Sequence, residues 1–213
     1  TARSRGLGDV YKRQGTHFLF NDPDIAELIG DTGLFDYAEF AAEYSCLDMQ
    51  LLYHLARAAQ CAALPLMIKL DQEGQGFWAQ AAIGAGFKSV LFTDIRKSED
   101  IDECHAVVRA DTPTDSGRMG VKIRRPALSS YAPDQYLEDL GSLVFCVMIE
   151  KKDAVENLEP ILERAKTKGV DMVQWGPADY SVSMGDPKLF HSKSIHKVEA
   201  VSYTHLTLPT IRE

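Results

Sequence analysis

Residues 143–179 read LVFCVMIEKKDAVENLEPILERAKTKGVDMVQWGPAD, two apolar runs separated by a helical pattern. The first run, Leu143–Ile149, ends at Glu150, and the second, Val170–Trp175, ends at Gly176-Pro177-Ala178-Asp179. Strand, helix and strand in this order predict a βαβ unit, in which the carboxyl ends of both strands lie side by side. Two carboxylates at that edge offer hard oxygen ligands to a divalent cation such as Mg²⁺ or Mn²⁺.

Both acidic positions also have an ordinary explanation. An acid after a strand is often only the N-cap or a first-turn residue of the next helix, where the helix dipole favours it. The Gly176-Pro177 pair favours the functional interpretation, because it fixes a sharp turn and directs the side chain of Asp179, which a cap does not need. The pattern alone leaves both interpretations open.

Strand and helix patterns alternate along the whole chain. The predicted strands are Thr16–Phe20, Tyr37–Ala41, Leu66–Leu70, Ser89–Thr93, Gly120–Ile123, Leu143–Ile149 and Met172–Trp175. The predicted helices are Pro23–Ile29, Met49–Cys61, Phe77–Ala85, Ser98–Val108, Pro133–Asp139 and Asp153–Thr167. Seven such units predict a single α/β domain with a parallel sheet over residues 15–200. An open doubly wound sheet and a (β/α)8 barrel both fit, and the barrel needs one more unit after the present C-terminus.

Composition excludes several classes of function. The chain has 213 residues and a formal net charge of -8, so a nucleic-acid or anionic-membrane surface is not expected. No apolar run approaches the ~20 residues of a membrane span. The 4 cysteines show no CxxC spacing, which is typical of reduced cysteines and predicts a cytoplasmic protein.

Both ends of the chain look foreign to it. Codons for Asp9–Gln14 and for Val201–Leu206 can be reverse complements of each other, offset by a reading frame. Such an inverted repeat resembles a transposon-type sequencing adapter translated at both ends. We therefore expect 1–14 and 201–213 to be non-native segments that add nothing to the fold.

Three further patterns could bind anions. Gly74-Gln-Gly-Phe-Trp-Ala79 matches the G-x-G-x-x-A form of a dinucleotide loop, with Asp94 about twenty residues on, but acids directly before the loop would repel a pyrophosphate. Lys69 ends a strand and could reach an anionic ligand. The pair Arg124-Arg125 follows a short strand and is equally typical of a solvated loop.

The sequence resembles the HpcH/HpaI aldolase/citrate lyase family, which includes metal-dependent pyruvate aldolases. The likeness is strongest at Ile149-Glu150, at residues 169–171 and at residues 176–185, and extends more weakly from about residue 15. It implies a (β/α)8 TIM barrel of the phosphoenolpyruvate/pyruvate type, often assembled as a trimer or hexamer.

The resemblance also implies roles for individual residues. It assigns Glu150 and Asp179 to a divalent cation, which would be Mg²⁺, Mn²⁺ or Co²⁺. It assigns the binding of a pyruvate enolate to that cation and to backbone amides near Gly176, Pro177, Ala178 and Asp179.

Around this centre the sequence departs from the family pattern. Where the family has Gly-Glu-His, with the histidine as catalytic base, this chain has Ala42-Glu43-Tyr44. Tyrosine, with a reference pKa of ~10, is a poor base at neutral pH. The family arginine that binds the substrate carboxylate is Lys69 here, which offers a point charge instead of a bidentate fork. A family glutamine is replaced by Met148.

The sequence therefore predicts a carbon–carbon lyase, a class II aldolase that cleaves a 4-hydroxy-2-oxo acid to pyruvate and an aldehyde. Lys69, Tyr44 and Glu43 are the candidate catalytic residues, and the expected protein is a cytoplasmic homo-oligomer without nucleic-acid or membrane partners. One alternative is a non-catalytic barrel that binds a metal and a 2-oxo acid. Another, resting only on Gly74–Ala79, is a nucleotide-dependent oxidoreductase.

Overall fold

A computed structural model describes residues 14–122, 131–196 and 198 of the chain. The predicted foreign segments, apart from Gln14, and the Arg124-Arg125 pair lie outside the described residues. None of the helices in the described part is long and apolar enough to cross a membrane.

The fold is built on one parallel sheet of six strands, which lie in the sheet in the order they have in the sequence. The strands are β1 (Gly15–Phe18), β2 (Tyr37–Ala41), β3 (Leu66–Leu70), β4 (Ser89–Phe92), β5 (Val144–Ile149) and β6 (Met172–Trp175). Sequential parallel strands with helical connections are the arrangement of a β/α barrel wall.

Helices connect successive strands, and one further helix follows β6. They are α1 (Pro23–Asp31), α2 (Met49–Cys61), α3 (Gln75–Ala85), α4 (Ser98–Val108), α5 (Pro133–Gly141), α6 (Lys152–Glu156), α7 (Leu158–Thr167) and α8 (Pro177–Ser183). Short 3-10 turns follow β2 at Ala42–Tyr44 and α8 at Pro187–His191.

Side chains alternate between the two faces of the sheet and so form two cores. The helix-covered face buries the large apolar residues Phe40, Ile68, Phe92 and Phe145. The opposite face holds a smaller apolar cluster of Met67, Leu91, Cys146 and Met148. Lys69 and Glu150 are in phase with Met67 and Met148 along their strands, so we place them on this second, interior face.

The sheet curves toward this interior. The side chain of Gln174 on β6 lies close enough to the carboxylate of Glu39 on β2 to lower its pKa, although three strands lie between them. In a flat sheet those strands would be roughly 19 Å apart, at about 4.8 Å a step. The described residues therefore form a half-barrel of six parallel strands, and the predicted α/β class is confirmed.

One predicted strand is wrong. Within the described part of Gly120–Ile123 there is no strand, and Met119 makes only an isolated bridge with Ala110. The Tyr136 hydroxyl donates to the Gly120 carbonyl at 2.8 Å and accepts from the Lys122 amide at 3.0 Å, so a side chain occupies backbone groups that a strand would pair. The described chain has six β/α units where seven were predicted, and the complete eight-stranded barrel is not seen.

The predicted helix Asp153–Thr167 is divided at Asn157 into α6 and α7. Pro160 lies in the first turn of α7, and a proline there has no amide to donate and crowds the carbonyl of Glu156.

Candidate active site

The carboxyl ends of the strands gather ionisable side chains at one mouth of the half-barrel. Glu43 follows β2, Lys69 lies near the end of β3, and Asp94 follows β4. Glu150 and Asp179 follow β5 and β6. Parallel strands bring these ends to one edge, so the predicted convergence of the strand-end residues is observed.

Glu150 is a buried carboxylate, with only 3% of its surface exposed. Its Oε1 atom accepts the backbone amide of Asp94 at 2.9 Å. Burial raises the pKa of Glu150, the Asp94 amide opposes that shift, and the negative charge of Asp179 adds to it. The ionised form of Glu150 would therefore gain from a nearby cation.

Gly176 makes room for this carboxylate. A Cβ atom at position 176 would lie 2.6 Å from Cβ and 2.7 Å from Oε2 of Glu150, and 2.8 Å from Cε of Met148. The Gly176 amide donates to the carbonyl of Ile149 at 3.0 Å, and Pro177 has no amide hydrogen. Of the predicted substrate-binding amides, those of Ala178 and Asp179 are therefore the ones left for a ligand.

Asp179 lies in the first turn of α8, so the ordinary explanation of this acid as a helix-turn residue also holds. Its side chain is 47% exposed, and its Oδ1 atom lies 3.0 Å from Nζ of Lys151. The same Nζ lies 2.7 Å from Oδ1 of Asp94. One ammonium group is thus shared by two carboxylates beside Glu150.

Sequence reasoning did not identify Lys151 or the role of Asp94. A usable signal was present, because Asp94 follows β4 as Glu150 follows β5 and Asp179 follows β6. The rule that drew attention to two strand-end acids applies equally to the third. The structure also weakens the nucleotide alternative, since Asp94, the acid expected to bind a ribose, pairs with Lys151.

Lys69 and Glu43 form a buried ion pair on the other side of the mouth, with side chains 10% and 12% exposed. Burial alone would lower the pKa of Lys69, but the hydrogen bond and charge of Glu43 outweigh it and raise that pKa. Lys69 is therefore a fixed positive charge.

Tyr44 stands beside this pair. Nζ of Lys69 lies 5.4 Å from the centre of its ring, and 65% of the residue is exposed. The hydrogen bond with Glu43, and then partial burial, raise the pKa of the Tyr44 hydroxyl. It is protonated at neutral pH, so it cannot act there as a phenolate base.

Charges couple the two sides of the mouth. Lys69 interacts electrostatically with Glu150, and Asp179 with Tyr44. The candidate residues from β2 and β3 and those from β5 and β6 therefore face one common space.

Removing the Lys69 ammonium should destabilise the fold. Lys69→Met leaves Glu43 buried without its partner, which typically costs about 3–5 kcal/mol. Because the folded pKa of Lys69 is raised, the contribution of Lys69 to stability is complete below the unfolded pKa of ~10.4 and is lost as pH rises through the folded pKa. Urea unfolding of both proteins at neutral and alkaline pH should show a difference that shrinks only at high pH.

Lys152→Met is the matched control. Lys152 and Glu156 form an exposed pair at 3.6 Å, and such pairs contribute about 0–1 kcal/mol. Equal losses from the Lys69 and Lys152 substitutions would show that burial of the Lys69–Glu43 pair has no energetic consequence.

The side chains at the mouth have the right donor atoms for a divalent cation, but they supply only two of the ligands that such a cation needs. Glu150 and Asp179 are hard oxygen donors, and Asp179 already holds a cation in the form of the Lys151 ammonium. Within the described residues, no group of three or more His, Cys, Asp and Glu side chains is arranged to hold a metal ion. A metal here would use these two carboxylates and take its other ligands from substrate and water.

Known structures share this fold. A HpcH/HpaI aldolase/citrate lyase family protein from Burkholderia cenocepacia matches with a TM-score of 0.78 and 21% identity, over 90% of this chain and 74% of its own. Macrophomate synthase matches with a TM-score of 0.74 and 16% identity, over 91% of this chain and 67% of its own.

Curated relatives are similar at the level of sequence. The 2-keto-3-deoxy-L-rhamnonate aldolases of Salmonella gallinarum and Klebsiella pneumoniae are each 28% identical to this chain over 76% of its length. The chain spans 59% of the length of either relative. The family model for HpcH/HpaI aldolase/citrate lyase matches residues 45–203. The chain therefore belongs to the HpcH/HpaI aldolase/citrate lyase family.

Proposed function

We propose that the protein is a class II aldolase that cleaves a 4-hydroxy-2-oxo acid to pyruvate and an aldehyde. The observation that carries the proposal is the convergence of Glu150, Asp179 and Lys69 on one mouth of the half-barrel. The carboxylates supply ligands for a cation, and the ammonium supplies fixed positive charge for an anionic substrate.

Glu150 and Asp179 would hold Mg²⁺, Mn²⁺ or Co²⁺. When bound, such a cation supplies Lewis-acid stabilisation of the negative charge that develops on the 2-oxo group as the carbon–carbon bond breaks. Lys69 adds a second positive charge, held in place by Glu43. The amides of Ala178 and Asp179 orient the 2-oxo acid from the start of α8.

Cleavage also requires that the 4-hydroxyl group of the substrate lose a proton. Tyr44 is unsuited to remove it alone, because its own hydroxyl is protonated at neutral pH. We propose that Tyr44 Oη accepts the substrate proton while passing its own to the carboxylate of Glu43. The carboxylate of Glu43 is the group that accepts this proton, and its ion pair with Lys69 keeps it oriented.

We further propose a 2-keto-3-deoxy sugar acid as the substrate class, because the similar curated proteins are 2-keto-3-deoxy-L-rhamnonate aldolases. The test is the release of pyruvate from 2-keto-3-deoxy-L-rhamnonate in the presence of Mn²⁺. A coupled lactate dehydrogenase assay measures the pyruvate that is released. Pyruvate release that EDTA stops would support the proposal. No release with this or shorter 4-hydroxy-2-oxo acids would reject it.

Tyr44→Phe should reduce turnover on the order of 100-fold, the usual size of a general acid–base contribution, without changing the melting temperature. Tyr44→His should restore or exceed the original turnover, because a histidine at an exposed site titrates near neutral pH. Steady-state rates of the three proteins provide the measurement. Unchanged turnover in Tyr44→Phe would remove Tyr44 from the reaction.

A non-catalytic barrel that binds a metal and a 2-oxo acid is the second candidate. It is favoured by the exposure of Tyr44 at the place where the family has its catalytic histidine. Metal-dependent binding of pyruvate without any cleavage of the tested acids would select this candidate.

The setting proposed for this activity is the cytoplasm, and the proposed assembly is a trimer or hexamer of identical chains. The 4 cysteines are all free, which suits a reducing compartment. The net charge of -8 suits a small-molecule substrate better than nucleic acid or an anionic membrane.

A further inference from the structure

Lys151 places a positive charge among the carboxylates at the mouth, which the sequence did not predict. Its side chain is only 12% exposed, yet its ammonium contacts Asp94 at 2.7 Å and Asp179 at 3.0 Å. Asp94 is itself largely buried, with a side chain 17% exposed. A partly buried ammonium in contact with two carboxylates is a firmly held cation.

We propose that Lys151 is a built-in competitor of the divalent cation for Asp179, and that Asp94 retains the ammonium when the cation binds. This inference rests on the proposed metal centre of Glu150 and Asp179. It assigns Lys151 and Asp94 the role of positioning residues, which set the affinity of the site for metal.

The competition follows from the contacts. Nζ of Lys151 lies 3.0 Å from Oδ1 of Asp179. A divalent cation on either oxygen of this carboxylate would share its single negative charge with the ammonium and bring two cations close together. Metal binding must therefore weaken the Lys151–Asp179 contact. Part of the attraction between the metal and Asp179 is offset by the loss of that contact.

Asp94 determines what happens to the displaced ammonium. The Lys151–Asp94 distance of 2.7 Å is the shorter of the two, so Lys151 has a partner that the metal does not need. Without Asp94, releasing Asp179 would leave a partly buried ammonium without a carboxylate in contact with it, which is unfavourable. Asp94 should therefore favour metal binding by acting through Lys151.

The test is a double-mutant cycle measured by titration calorimetry with Mn²⁺ on the 213-residue chain. Lys151→Gln removes the charge but keeps a donor for Asp94, and we expect it to tighten Mn²⁺ binding about tenfold or more, the size of effect seen for groups next to metal ligands. Asp94→Asn should weaken Mn²⁺ binding. In the double variant the Asp94 effect should vanish, because no ammonium needs a partner.

Two controls separate this mechanism from general charge effects. Lys152→Gln removes a neighbouring exposed cation that contacts Glu156, and it should change Mn²⁺ affinity by less than about twofold. Lys151→Arg keeps the positive charge and should keep the affinity low. Circular dichroism melts of every variant verify that each is folded.

The outcomes are distinct. Tighter binding in Lys151→Gln, with or without measurable binding in the original chain, supports the inference. Mn²⁺ binding that Lys151→Gln leaves unchanged, or an Asp94→Asn loss that persists in the double variant, overturns the inference while the metal centre stands. Absence of Mn²⁺ binding in every folded variant overturns both.

Discussion

Glu150→Gln is expected to lower the affinity of the chain for Mn²⁺ on the order of 100-fold or more, since loss of even an outer partner of a metal site costs about 10–100-fold. The substitution keeps an oxygen that can accept the Asp94 amide, so the end of β5 keeps its hydrogen bond. Only the charge and one hard oxygen ligand are lost. Calorimetric titration of both proteins with Mn²⁺ measures the change.

The same substitution should stabilise the chain in the absence of metal. Burial raises the pKa of Glu150, so ionising this group costs the folded state more than the unfolded one. Stability associated with its protonated form is present below the unfolded pKa and lost as pH rises through the folded pKa. Glutamine does not ionise, so the variant does not lose this stability as pH rises. Urea unfolding at neutral pH should show a free energy of unfolding that is higher by up to about 1 kcal/mol, the ordinary size of a single-residue effect.

Asp179→Asn is the matched comparison. Asp179 is also a proposed ligand, but its side chain is 47% exposed and is paired with Lys151. We expect weaker Mn²⁺ binding from this variant without the gain in stability. If Glu150→Gln left Mn²⁺ affinity intact, the proposed centre would be wrong, and if it destabilised the chain without metal, Glu150 would be a structural ion-pair partner instead.

Residues with strong periodic patterns were predicted well. The bounds of β2, β3 and β6 agree with the sequence prediction, as do those of α2 and α4. Each of these segments has a clear helical or strand periodicity and is bounded by residues that end such segments. The structure favoured by the local sequence is therefore also the one favoured by tertiary packing.

The division of the predicted helix Asp153–Thr167 has a local cause in Pro160, whereas two other misses come from contacts between residues distant in sequence. A strand was predicted near Gly120 because nothing local shows that Tyr136, 16 residues away, takes up its carbonyl. The ion pair between Lys151 and Asp94 joins residues on different β/α units, so neither position looks unusual when it is considered alone. Strand ends predict which residues converge, whereas the pairing among them depends on three-dimensional positions.

Gly176→Ala should damage both stability and metal binding, although it adds only one methyl group. The added Cβ would lie 2.6 Å from Cβ of Glu150, and a contact this short requires the backbone of one strand end to move. Overpacking of this kind costs about 1–3 kcal/mol. The backbone of Gly176 has φ -112, which alanine also adopts, so the expected cost comes from the clash and not from the conformation.

The clash also predicts a specific defect at the site. The new methyl group would lie 2.7 Å from Oε2 of Glu150, so the carboxylate must turn away from the space it shares with Asp179. Mn²⁺ affinity should therefore fall at a temperature where the variant is still folded. Gly141→Ala is the control, because a Cβ there meets nothing within 4 Å and its stability should be unchanged or slightly raised. A Gly176→Ala protein with the original unfolding free energy and Mn²⁺ affinity would show that the ends of β5 and β6 adjust freely, and that Gly176 does not position Glu150.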